Sequence, residues 1–61
     1  MSHRPITQDD INAAYRGLQM RTMSLRELEE LRYEHAHPDK PFASHVIAEA
    51  ARQAINSRQY R

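Results

Sequence analysis

The stretch Met23-Ser24-Leu25-Arg26-Glu27-Leu28 decides the fold class, because it spells out the start of an α-helix almost residue by residue. Ser24 offers a hydroxyl to the first unpaired amides, Glu27 three residues on can reach back to the Ser24 amide, and Met23 with Leu28 forms a hydrophobic staple across the cap. Leu25, Leu28 and Leu31 then recur every third residue. Arg26 with Glu30, and Glu29 with Arg32, are spaced to pair along the outer side.

The same device appears upstream. Thr7-Gln8-Asp9-Asp10 places a hydroxyl at a cap position and a carboxylate at the third helical residue, with Ile6 and Ile11 as the staple and Pro5 marking the non-helical entry. Ile11, Ala14, Tyr15 and Leu18 follow the i, i+3, i+4, i+7 spacing of one helical face. Gly17 weakens the last turn by roughly 1 kcal/mol relative to alanine, so fraying is expected between Leu18 and Arg21.

Downstream, His37-Pro38-Asp39-Lys40-Pro41 is the strongest break, since each proline biases its predecessor away from helix. Asp39 is a candidate cap for the next helix, with Pro41 in its first turn. Beyond it Val46, Ile47, Ala50, Ala54 and Ile55 make a narrow stripe whose alanines allow close approach of a second helix.

These signals predict an all-α chain: one domain over residues 1–61, helices at about 8–20, 24–36 and 41–57, and flexible ends at 1–5 and 58–61. A chain of 61 residues hides only about 60% of the surface it exposes when unfolded, which leaves a thin core. There is no cysteine to staple it, so completion by homo-oligomerisation is expected. Leu25, Leu28, Leu31, Phe42, Val46 and Ile47 are the residues expected to fill the core or a subunit contact, with the tyrosines and methionines as helpers.

Composition narrows function. No run approaches the ~20 apolar residues that span a bilayer, and nothing after Met1 reads as a signal peptide, so a cytoplasmic protein is expected. Net charge is +1 but unevenly spread: +2 over residues 1–26, −4 over residues 27–39 and +3 over residues 40–61. The acidic middle comes from Glu27, Glu29, Glu30, Glu34 and Asp39 against Arg32. It reads first as the solvated face of a helix, and second as a docking patch for a basic partner.

Arginine outnumbers lysine eight to one. Arg52, Arg58 and Arg61, with Tyr60, are the candidate contacts to a phosphate backbone. A helix-turn-helix made from the first two helices would push four glutamates into the groove, which argues against sequence reading by that route.

His35, His37 and His45 flank the proline loop near Glu34 and Asp39, a donor set that zinc or nickel accepts, but the spacing fits no helical ligand pair. Solvent-exposed histidines are the preferred reading, with pH-sensitive association as a lesser alternative, and no metal or cofactor is expected. Ser24 is accounted for as a cap, Ser44 has no triad around it, and Gly17 as sole glycine rules out a glycine-rich phosphate loop, so no enzyme is expected.

Thr22-Met23-Ser24 running into a leucine- and glutamate-rich helix, with Ala50-Ala51-Arg52 in a later one, is similar to the small helical haemolysin-expression modulators of enteric bacteria. That resemblance implies binding to a nucleoid-associated silencing protein through charged surfaces, without reading of DNA sequence. It lies in short, unspecific pieces that do not amount to membership, and the chain departs from the family in its shorter length, its proline loop and its lack of a final helix. Size and style also suit bacteriophage and plasmid accessory proteins, an analogy of class.

The expectation is therefore a small non-enzymatic adaptor or inhibitor acting on another protein, with Glu27, Glu29, Glu30 and Glu34 as the contact. The alternative is a small DNA-associated transcriptional regulator using Arg52, Arg58 and Arg61.

Overall fold

A computed structural model describes residues 5–59. Both cap motifs form. Thr7 Oγ1 accepts from the Asp10 amide while the Asp10 carboxylate accepts from the Thr7 amide, each at 3.2 Å. At the second cap the Ser24 amide donates to Glu27 at 2.8 Å, and the Glu27 amide donates to Ser24 Oγ at 3.1 Å. These open helix α1, Gln8–Gly17, and helix α2, Leu25–His35.

The expected first helix of 8–20 is corrected: α1 stops at Gly17. Gln19 then takes a left-handed conformation (φ 54°, ψ 44°), and Met20–Thr22 form a single 3-10 turn. The reason is Met20, which the reversal drives into the core, where it is fully buried. A straight helix through residue 20 would not turn the chain towards α2.

The link to the third helix is a tight turn in which the Lys40 amide donates to the His37 carbonyl at 3.1 Å. Helix α3, Phe42–Gln59, is the longest element. The Pro41 carbonyl accepts from the Ser44 and His45 amides at 3.0 and 3.2 Å. Pro41 therefore holds the cap position, and Asp39 lies two residues ahead of it. The C-terminal bound of 57 is corrected as well: α3 continues through Arg58 and Gln59. The proposed flexibility of residues 1–4, 60 and 61 lies outside the described residues.

α3 is the shared centre, with α1 and α2 each packed against it. Gln8 bonds Gln53, and the Met20 carbonyl meets Arg58, so α1 runs in the same sense as the C-terminal half of α3. α2 is joined to α3 by the short turn and packs along it as a helical hairpin. The principal extents are 39 × 21 × 20 Å.

The core is small and alanine-rich: Ile11, Met20, Leu28, Ala50, Ala51, Ala54 and Ile55, with Ile6, Ala14, Tyr15, Met23, Leu31 and Ile47 packed at its edge. Alanine buries little apolar area, but three within two turns of α3 let neighbouring helices approach closely, where dispersion contacts are densest. Among the described residues no polar or charged residue is buried.

Of the residues expected to fill core or interface, Leu28 and Val46 are buried and Leu31 and Ile47 are half-buried. Leu25 and Phe42 keep 37% and 38% of their surface exposed. Tyr33, expected to help the core, points outward at 72% exposure. In their place Met20 and Ala51 carry the packing.

Candidate functional site

Leu28, Leu31 and His35 turn the inner side of α2 towards α3, which forces the remaining positions out. Arg26, Glu29, Glu30, Tyr33 and Glu34, at i, i+3, i+4, i+7 and i+8, line one shallow groove of ≈ 340 Å³ along the outer face. Tyr33 is its aromatic centre. The Tyr33 ring stands edge-on to the His37 ring, with centroids 5.4 Å apart and planes at 75°, an arrangement that favours one orientation of the phenol.

Neither of the expected pairs within α2, Arg26 with Glu30 or Glu29 with Arg32, forms among the described residues. An ion pair forms instead on α3, between Arg52 and Glu49 at 3.4 Å. The Glu29, Glu30 and Glu34 carboxylates therefore face solvent without an ion-pair partner among the described residues.

Glu27 is set apart from the other three. Its carboxylate is bonded to Ser24, and those hydrogen bonds from the Ser24 amide and side chain hold its pKa below the ordinary value of 4.5. It is occupied by the helix cap, and it does not line the groove.

The arginines expected to contact nucleic acid are scattered in role. Arg58 Nη2 donates to the carbonyls of Met20 at 3.2 Å and Arg21 at 3.0 Å, binding the end of α3 to the 3-10 turn. Arg52 leans on Glu49 and lines a polar cleft between α2 and α3 with Glu29, Arg32, Ile55, Asn56 and Gln59. Arg61 lies outside the described residues.

Among the described residues no group of three or more His, Cys, Asp or Glu converges as a metal site. His35 Nδ1 is buried without a hydrogen-bond partner. The His37 ring instead stands edge-on to Tyr33. A second groove of ≈ 250 Å³ lies between α1 and α3, floored by Ile11, Ala50 and Ala54 and edged by Asn12, Gln53 and Ser57.

Sequence reasoning named the acids of α2, Glu27 among them, and did not name Tyr33 beside them. The signal was present: Tyr33 is four residues after Glu29 and three after Glu30, so it shares their face. No family model, curated protein or solved structure matches the chain, so the likeness to the haemolysin-expression modulators rests on its own short pieces.

Proposed function

We propose that this chain is a non-enzymatic regulatory adaptor or inhibitor of the cytoplasm, which binds another protein through the outer face of α2. The observation that carries the reading is Tyr33, an aromatic ring 72% exposed in the middle of a groove edged by Glu29, Glu30 and Glu34. A large ring left in water beside carboxylates without ion-pair partners is the chemistry of a contact for a basic segment. An arginine laid on the phenol face gains cation–π attraction, and its fork can pair with a neighbouring carboxylate.

Aromatic residues also supply most of the binding energy where interfaces have a centre, and charged rims supply orientation and on-rate. Self-association belongs to the same proposal and is supported by Leu18, Leu25 and Phe42, which keep 44%, 37% and 38% exposure on a chain with a thin core. The alternative of a DNA-associated regulator loses force because Arg58 is bonded to backbone carbonyls.

The test is titration of an arginine-rich peptide into the isotopically labelled protein, followed by backbone amide shifts. Saturable shifts centred on residues 26–37 are expected, lost in Tyr33→Ala and in the double variant Glu29→Lys/Glu30→Lys. Shifts of equal size in that double variant, or a binding site on α1, would overturn the reading.

A further inference from the structure

We propose that the cleft between α2 and α3 is a binding site for a phosphate oxyanion, held by Arg32 and Arg52 with the side-chain amides of Asn56 and Gln59. The site shares Glu29 with the Tyr33 groove, but all four of its donors lie outside that groove, so it does not rest on the reading of Tyr33. Helical spacing builds it: Arg52, Asn56 and Gln59 stand at i, i+4 and i+7 on α3, and Glu29 and Arg32 at i and i+3 on α2. Two stripes rich in donors thus face one cleft of ≈ 230 Å³, with the buried Ile55 as its apolar wall.

The donor inventory exceeds what the fold uses. Arg32 makes no hydrogen bond or ion pair among the described residues. Arg52 commits only Nη1, at 3.4 and 3.5 Å to the two Glu49 oxygens, long contacts for a charge-assisted pair. Each guanidinium carries five N–H donors in a planar fork, and each amide adds two, a set matched to a tetrahedral oxyanion with several acceptors. The wall of Ile55 excludes water from one side, which strengthens the remaining contacts.

Glu29 is the counterweight. Its carboxylate lines the same cleft and the Tyr33 groove, so it stands at the lip between the two and competes with any anion for Arg32 and Arg52. Glu49 does the same from the far side of Arg52. The cleft's net charge is therefore small and binding is weak, tightening when Glu29 is neutralised. Because Glu29→Gln also raises general attraction of anions, it is saturation by phosphate over chloride, and its loss in the arginine variants, that separates a built site from such attraction.

The experiment follows inorganic phosphate titrated into the labelled protein, reading arginine Nε and amide side-chain resonances, with sodium chloride at matched ionic strength as the control. Saturable shifts of Arg32, Arg52, Asn56 and Gln59 are expected with phosphate and not with chloride. Affinity should fall about tenfold in Arg32→Gln and in Arg52→Gln, the size of one charge-assisted contact, and rise in Glu29→Gln. All three positions are exposed, and circular dichroism checks that each variant keeps its helices. A second arm uses phosphoserine: binding by both ligands assigns the cleft to a phosphate carried on a larger molecule, and binding by inorganic phosphate alone assigns it to the free ion. Shifts that chloride reproduces, that never saturate, or that survive both arginine variants overturn the proposal.

Discussion

The guanidinium of Arg58 donates to the carbonyl oxygen of Met20, a residue thirty-eight positions earlier whose side chain is fully buried. The Met20 carbonyl also accepts from the Met23 amide at 3.1 Å, and the neighbouring bond takes the Arg21 carbonyl, so the guanidinium clamps two successive carbonyls of the 3-10 turn. An exposed arginine near the end of the described chain is thus a structural strut between α3 and the turn that sets the direction of α2.

Arg58→Ala should therefore destabilise the fold by about 1–2 kcal/mol, the lower part of the range for hydrogen bonds from a charged donor, since the Arg21 carbonyl can be rehydrated. Urea denaturation followed by circular dichroism measures it. Arg52→Ala, whose partner is the nearby Glu49, should cost under about 0.5 kcal/mol. Equal losses at the two positions would show that the strut carries no load.

Ser24→Ala removes the hydroxyl of the second cap and should cost about 1 kcal/mol. The same change alters the acid limb of stability. Glu27 has its pKa lowered in the folded protein, so its contribution is present above the ordinary value of 4.5 and is lost as pH falls through the lowered folded value. The wild-type chain should lose stability over that acid window, and Ser24→Ala should lose less of it. Denaturation midpoints collected from pH 6 down to pH 2 read this directly.

Ala50 and Ala51 are fully buried on the side of α3 where both neighbouring helices close in. Ala51→Leu should cost about 1–3 kcal/mol through overpacking, a large share of what a chain this size has, or abolish folding. Ala43→Leu, on the exposed first turn, should leave the thermal midpoint unchanged within about a degree per few tenths of a kcal/mol.

Glycine and backbone demand are mismatched at the end of α1. Gly17 closes the helix with nothing within 4 Å of an added Cβ, whereas the left-handed position two residues later is held by Gln19. Gly17→Ala should stabilise by about 0.5–1 kcal/mol through helix propensity and unfolded-state entropy. Gln19→Val should destabilise by about 1–2 kcal/mol, because a β-branched side chain fits that conformation poorly. Thermal melts of the two variants moving in the same direction would contradict the assignment.

How much of this was legible in the sequence follows from the range of the interactions concerned. The caps at Thr7 and Ser24, the proline turn and the alanine stripe of α3 are set by residues within one or two turns, and they could be read. The end of α1 could be read only as fraying between Leu18 and Arg21, whereas the left-handed Gln19 and the 3-10 turn could not, because they depend on Met20 being worth burying under α3. Tyr33 was assigned inward on hydrophobicity alone, although its spacing from Glu29 and Glu30 places it with the acids. Arg58 was read as a free cation because the carbonyls it serves lie in the 3-10 turn, thirty-seven and thirty-eight residues away in the chain. The acidic face was visible as a pattern, and its aromatic centre emerged only once the inner side of α2 was known.

The placement of α3 between the other two helices also orders events in time. α1 is made before α2 and α3, yet its bond from Gln8 to Gln53, like that from Met20 in the following turn to Arg58, is with the C-terminal half of α3. The α2–α3 hairpin closes over a short loop and can assemble as soon as α3 is made, while α1 must wait until the second half of α3 exists. The helix that precedes the hairpin docks after it, and until it does the Ile11 side of the core stands open to water and to other chains.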